Sequence, residues 1–188
     1  MPEDKPIPSS QAQWFAIKTP KDKAAETFLA DKCEEVFFPT QTLKTEGKKD
    51  RRKAVIPHVL FIKTTAENAL DLEQQGRKNP LLSIPFWIYR HPGDNHIQII
   101  PQTSIDLLRL LTSDNTSECR IYTGHEFRAN QYVRITGGLY QGYEGYIQRV
   151  KKNKQVLVKI EGVCMVLLPF IHPDLLLPCR LYTSPSPR

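Results

Sequence analysis

The densest chemistry in this 188-residue chain is electrostatic. Residues 44–53, KTEGKKDRRK, carry six basic and two acidic side chains and no apolar one, a net +4. Cations spaced this way on a loop between strands can track a phosphate backbone. Each neutralised phosphate releases counterions, so such binding weakens steeply with salt. The same charges would also suit a solvated hairpin that only aids solubility, and the run alone does not separate the two. A second basic group, Arg149, Lys151, Lys152 and Lys154, crowds one later hairpin, where lysines commonly guard a sheet edge against unwanted pairing. The whole chain carries 26 Lys and Arg against 20 Asp and Glu, a net charge of +6.

Catalytic and metal-binding chemistry finds little support. There is no GxSxG, no GxxxxGK[ST] and no HExxH pattern, so the nucleophile, phosphate-loop and zinc-protease signatures are all missing. Glycines 137, 138, 142 and 145 form a loop, but a phosphate cradle needs a Lys-Ser/Thr and a helix behind it, and here a β-prone run follows. Cys33, Cys119, Cys164 and Cys179 are too far apart for a zinc knuckle. They are expected to be reduced and structural. His91 and His96 bracket HPGDNH, which is turn chemistry rather than a ligand pair. The chain is therefore expected to be no enzyme, with no cofactor and no metal.

Composition bounds the class. Apolar residues make up 40% of the chain and charged residues 24%, enough to fill a core. The longest apolar run, residues 163–171, is interrupted by Pro169 and falls well short of the ~20 residues of a membrane helix. Residues 1–13 form a proline-bearing polar tail without the apolar stretch of a signal peptide, so a cytoplasmic protein without a membrane segment is expected.

The elements that must position the basic run follow from periodicity. WFAIKT at 14–19 is a short strand. Thr19 is then expected to cap a helix with Ala24, Ala25, Phe28, Leu29 and Cys33 on one face. EVFF at 35–38 and IPHVLFIKT at 56–64 read as strands on either side of the basic loop. Thr64 with Glu67 gives a capping-box pattern for a second helix ending at Gly76. Strands at 85–89 and 97–100 flank the HPGDNH turn, and Thr103 with Asp106 opens a third helix rich in leucine. This order predicts an α+β domain over 14–111, an antiparallel sheet with helices packed on it. Trp14, Phe15, Phe86 and Trp87 are adjacent pairs on strands, so one ring of each pair faces away from the other. With helices on one sheet face, some of these rings should reach the other as a partner-binding patch, unless a further helix covers it.

Beyond Leu111 the composition changes. Residues 112–125 read as a linker, and from 126 to 178 only β signals remain: QYVRIT, the turn GGLYQGYEG, YIQRV, QVLVKI and VCMVLL. Several short strands in so small a span predict a small β-barrel, whose closure removes exposed edges. Residues 179–188 are a tail. Its end, LYTSPSPR, fits neither pattern and resembles a translated sequencing adaptor, so the natural C-terminus is expected to differ there.

Taken together, WFAIKTPKDKAAETFL, VFFPTQ, IPHVLFIKT and VRITGGLYQGYEGYIQRVKKNKQVLVKIEG resemble NusG-type transcription elongation factors. The first three segments look like the NusG N-terminal domain. The last is similar to a KOW motif, with Gly142 at the centre of its turn and Glu144 and Gly145 following. IPHVLF and IYRHPGDNHIQIIP look most like the specialised Bacteroides-type paralogues that promote read-through of polysaccharide operons. The resemblance implies an N-terminal domain docked on RNA polymerase through apolar sheet-face residues, by position Phe15, Pro57, Val59 and Phe86. It places Lys48, Lys49, Arg51, Arg52 and Lys53 near DNA at the transcription bubble, positioning more than reading bases because the loop has no aromatic. It also implies an SH3-like KOW barrel that recruits a ribosomal protein or Rho, in a monomeric transcription elongation and antitermination regulator. An RNA-binding ribosomal or translation-associated KOW protein is the alternative.

Overall fold

A computed structural model describes residues 11–43, 51–78, 84–91, 93–113, 120–122, 132–150, 153–160 and 162–179. It divides into two compact units, Met1–Asn115 with Glu161–Val163, and Thr116–Ile160 with Cys164–Arg188.

The first unit is organised around β1 (Gln13–Lys18), in which Trp14, Phe15, Ala16 and Ile17 are all buried. An unbroken apolar run of this kind belongs to a strand covered on both faces. β1 pairs antiparallel with β5 (Val59–Thr64), with Phe15 opposite Ile62 and Ile17 opposite Leu60. On its other edge it pairs with β6 (Trp87–Ile88) and β7 (Ile99–Ile100), and β2 (Glu35–Phe37) adds to the far side of β5. Side chains alternate across a strand, so Phe15, Ile17, Leu60, Ile62 and Ile88 share one face. There they pack with Phe86, with Ala25 and Leu29 of α1 (Asp22–Ala30) and with Ala69 and Leu72 of α2 (Ala66–Lys78).

The opposite face carries Trp14, Ala16 and Phe61, with Phe37 tilted against Phe61 at 6.2 Å. It is not left open. α3 (Gln102–Ser113) lies there, burying Ile105, Leu107, Leu108 and Leu111. The Trp14 indole N–H donates to Gln102 Oε1 at 2.8 Å, and the Arg109 guanidinium sits 5.5 Å from the centres of both the Trp14 and Phe37 rings while pairing with Glu35. Of the two alternatives the sequence leaves open, an exposed patch or a covering helix, the helix is found over Trp14 and Phe37. The third helix takes that face because its leucine stripe needs an apolar partner, at about 1.5–3 kcal/mol per large side chain buried.

Several helix boundaries differ from the sequence reading. α1 starts at Asp22 without a side-chain cap. The buried Thr19 accepts a hydrogen bond from the Lys21 N–H and donates to the Pro85 carbonyl, tying the chain ends of β1 and β6 together. For α2 the capping oxygen is that of Thr65, which accepts from the Asn68 N–H, while Thr64 accepts from the Asn68 side chain. Gly76 does not end α2. A Cβ there would lie 2.7 Å from the Phe86 ring, so the glycine lets the helix press onto that ring.

A buried carboxylate pins the same corner. Glu73, with 5% of its side chain exposed, accepts from the Ile88 N–H at 2.9 Å and from Arg90 at 2.6 and 3.1 Å, with Arg77 at 3.4 Å. Burial alone would raise its pKa, but the Arg90 and Ile88 hydrogen bonds and the charges of Arg90 and Arg77 hold it below the usual carboxylate value.

In the second unit six antiparallel strands form one sheet in the order β13-β9-β10-β11-β12-β8. They are β8 (Arg120–Tyr122), β9 (Tyr132–Ile135), β10 (Glu144–Val150), β11 (Asn153–Ile160), β12 (Cys164–Leu167) and β13 (Leu176–Pro178). Val133, Ile135, Val156, Ile160 and Val166 are among its buried residues. Among the described residues β8 and β13 do not pair with each other, so these strands do not by themselves close the expected barrel. The two ends are three-residue strands, and short edges of this kind limit edge-to-edge association without closure. β8 falls within the stretch expected to be linker. No helix among the described residues is long and apolar enough to cross a membrane.

Replacing Glu73 by Gln should destabilise the first unit by about 3 kcal/mol, since Arg90 loses its buried counter-charge. Because the folded pKa lies below the unfolded one, the wild-type contribution is complete above about pH 4.3 and is lost as pH falls through the folded value. Urea unfolding of the two proteins at neutral and acid pH should therefore show a gap that closes on acidification.

Candidate functional site

The basic run stands on a hairpin of its own. β3 (Thr40–Leu43) and β4 (Arg51–Ala54) form a separate two-stranded sheet, with Gln41 opposite Lys53, Thr42 opposite Arg52 and Leu43 opposite Arg51. Its base is closed by the Val55 N–H donating to the Pro39 carbonyl at 2.8 Å, and it is footed on α3 by the Gln41 side chain, which donates to the Leu111 carbonyl at 3.3 Å. Arg52 and Lys53 are exposed, and neither is needed by the core. Arg51 holds its strand position, and Lys48 and Lys49 lie outside the described residues. A hairpin footed on α3 and carrying exposed cations is suited to phosphate contact, in which position matters more than base identity.

The four residues expected to form a polymerase-docking face separate. Phe15 and Phe86 are fully buried, and Val59 is 3% exposed. Phe15 and Phe86 belong to the core beneath α1 and α2, and Val59 is interior to the sheet. None of the three presents its side chain to solvent in this fold, since Phe15 and Phe86 are packed in the core with α1 and α2 and Val59 is buried at the start of β5. Pro57 alone is exposed. It sits in a turn whose next residue, His58, has φ +64°, a left-handed conformation that His tolerates better than most residues. The His58 carbonyl accepts from the Thr19 N–H at 3.0 Å, and His58 Nδ1 lies 3.4 Å from Asp22 Oδ1. The turn is thus held against the start of α1, with Pro57 and His58 outward.

The ring that does reach solvent in the first unit is Trp87, 43% exposed. Strand alternation was the signal for it, since its neighbours Phe86 and Ile88 both point into the core. The sequence pairs it with Phe86, one ring facing away from the other, and does not say which of the two is buried or which rings α3 covers.

In the second unit the glycine turn has the geometry its composition requires. Gly138 and Gly142 have φ of +79° and +90°, conformations that favour a residue without a Cβ. The Gly142 N–H donates to the Ile135 carbonyl at 2.8 Å, and the Ile135 N–H to the Tyr143 carbonyl at 2.9 Å, closing the link between β9 and β10. Gly145 is fixed by space, because a Cβ there would lie 2.4 Å from the Leu157 carbonyl oxygen. Glu144 is a clasp: it accepts from Arg134 Nε at 2.6 Å across the strand pair. Burial raises the pKa of Tyr132, and its hydrogen bond to Glu144 raises it further.

Burial pushes the Cys33 thiol up to about 11, against a small opposing effect of Lys32, so it is not a thiolate at neutral pH. Among the described residues no group of three or more His, Cys, Asp or Glu side chains is placed to hold a metal ion.

Comparison with known proteins gives no match to any protein-family model, and no curated protein matches. Among solved structures, the chain aligns with Thermotoga maritima NusG, from a study of its domain interaction, at 15% identity and a TM-score of 0.45, covering 88% of this chain and 96% of that one. A chain of the MjSpt4:Spt5 complex in conformation B aligns at 16% identity and a TM-score of 0.28, covering 91% and 99% of the two chains.

Gly145→Ala should cost about 2–3 kcal/mol in the second unit, since the intruding methyl meets backbone that cannot rotate aside. Gly142→Ala should cost about 1 kcal/mol, the backbone strain alone. Thermal unfolding of both variants measures the order, Gly145 worse than Gly142.

Proposed function

We propose that the protein is a non-enzymatic regulator of transcription elongation and antitermination. In this reading the first unit docks on RNA polymerase and sets the β3–β4 hairpin against nucleic acid at the transcription bubble. The second unit, with its KOW-like turn, recruits a further protein such as Rho or a ribosomal protein. The observation that carries the reading is the hairpin: a separate two-stranded sheet, footed on α3, presenting Arg52 and Lys53 to solvent. The order of NusG-like segments along the chain supports it.

Docking through this fold must use turns and edges. Pro57 and His58 supply one such contact beside the hairpin base, because β4 runs directly into their turn. Arg134 is engaged by Glu144, so its charge is partly spent within the sheet and the hairpin is the better phosphate contact.

Arg52→Ala with Lys53→Ala in the full chain should leave the melting temperature nearly unchanged, since both side chains are exposed. The slope of log affinity against log salt for a single-stranded oligonucleotide should fall by about 1.4, two phosphate contacts' worth. Core RNA polymerase should be captured by the wild-type chain at moderate salt. Capture of ribosomal RNA but not of polymerase would favour the translation-associated alternative.

A further inference from the structure

Trp87 occupies an unusual position for so large an apolar side chain. It lies on β6, opposite Lys18 of β1, and the Arg77 guanidinium from the last turn of α2 stands over its ring at 5.9 Å. The indole is still 43% exposed. Its backbone is held closely. Ile88 N–H donates to Glu73 at 2.9 Å, Tyr89 N–H donates to the Ala16 carbonyl at 2.9 Å, and Phe86 is locked against Gly76. The strand that carries the ring is therefore held by the core, and Glu73 contacts both this strand and Arg77.

Two cations are placed at this ring, Arg77 over it and Lys18 opposite it. Lys18 is exposed, Arg77 is over the ring, and Lys78 follows it in the same helix turn. The nearby acid, Glu73, is buried beneath them and already engaged by Arg90, Arg77 and the Ile88 N–H. Its contact with Arg77, at 3.4 Å, also helps hold the guanidinium over the indole. An exposed indole among cations matches a single-stranded nucleic acid, whose bases stack on aromatic faces while its phosphates seek positive charge. A peptide anchor would call instead for an apolar pocket with a polar rim, and this ring is rimmed by charge.

We propose that Trp87, flanked by Lys18 and Arg77, is a stacking platform for an unpaired base of a single-stranded nucleic acid. It supplies the aromatic partner that the basic hairpin lacks. The inference deepens the proposed function by naming what the nucleic-acid contact recognises, and it rests on that reading only in taking nucleic acid as a partner. Its test involves an oligonucleotide, so it is separable from polymerase docking.

Tryptophan fluorescence of the full chain, titrated at low salt with an oligothymidylate of about fifteen residues, reads the site directly. Trp14 is 3% exposed and hydrogen-bonded to Gln102, so quenching reports Trp87. The expected result is quenching on binding, a loss of about tenfold in affinity for Trp87→Ala, and retention of binding by Trp87→Phe. Lys18→Ala with Arg77→Ala, which keeps the ring, should weaken binding and reduce its salt dependence. An abasic oligomer of the same length should bind wild type and Trp87→Ala alike. The proposal is overturned if Trp87→Ala binds the oligothymidylate as tightly as wild type while the Arg52 and Lys53 variant does not, because the strand is then held by the hairpin alone. It is also overturned if Trp87→Ala abolishes polymerase capture with oligonucleotide binding intact, which would make the ring a protein contact. Quenching with normal stacking but no polymerase capture would instead leave the platform standing and remove the polymerase reading.

Discussion

Burial of β1 on both faces is the constraint on which the rest of the first unit depends. Phe15 and Ile17 require α1 and α2 on one side, and Trp14 and Ala16 require α3 on the other. Once both helical layers are in place, the centre of the sheet is covered on both faces, and Lys18 and Trp87 at its edge stay exposed. Whatever this unit recognises must be met by edges, turns and the hairpin. Among the described residues the exposed Pro57–His58 turn, the cations of β4 and the Trp87 indole are candidates, and the backbone at each is tied by hydrogen bonds to a neighbouring segment.

Close backbone approaches at two glycines set the precision of this arrangement. Gly76 allows the Phe86 ring within 2.7 Å of where a Cβ would be, which draws the last turn of α2, with Arg77, over the strand carrying Trp87. Glu73 then closes the same corner from beneath, joining α2 to the Ile88 N–H and to Arg90. In the second unit Gly145 does a comparable job, letting β10 lie against the Leu157 carbonyl while the Arg134–Glu144 clasp spans β9 and β10. A buried charged group with all its partners in place favours one geometry over others, and here that geometry carries the candidate contacts.

Much of the fold was legible because its signals are local. The apolar run at 14–17, the Ala25 and Leu29 face of α1 and the positive-φ glycine turn each follow from spacing or from a residue's own conformational limits. What was not legible depends on partners distant in sequence. Leucine periodicity marks α3 as amphipathic but does not say which sheet face it will cover, so Trp14 looked as available as Trp87. Gly76 looked like a helix stop because its reason is a ring ten residues further on. The Glu73–Arg90 pair spans 17 residues without a motif. The strands β3 and β4 carry charges and threonines with no apolar alternation, since a solvent-facing hairpin has no core to pattern it. Of the candidate site, Arg52 and Lys53 stand out by composition and are exposed, while Phe15, Val59 and Phe86, named by position from the family resemblance, are buried, which position in a motif does not reveal.

The central claim is that the first unit meets RNA polymerase through turns and edges rather than through its sheet. Amide hydrogen exchange of the full chain with and without core RNA polymerase tests it most directly. The account expects added protection in peptides covering residues 51–58 and 84–91, with the centre of β1 and β5 unchanged. Protection confined to residues 132–179, with nothing altered in the first unit, would contradict it.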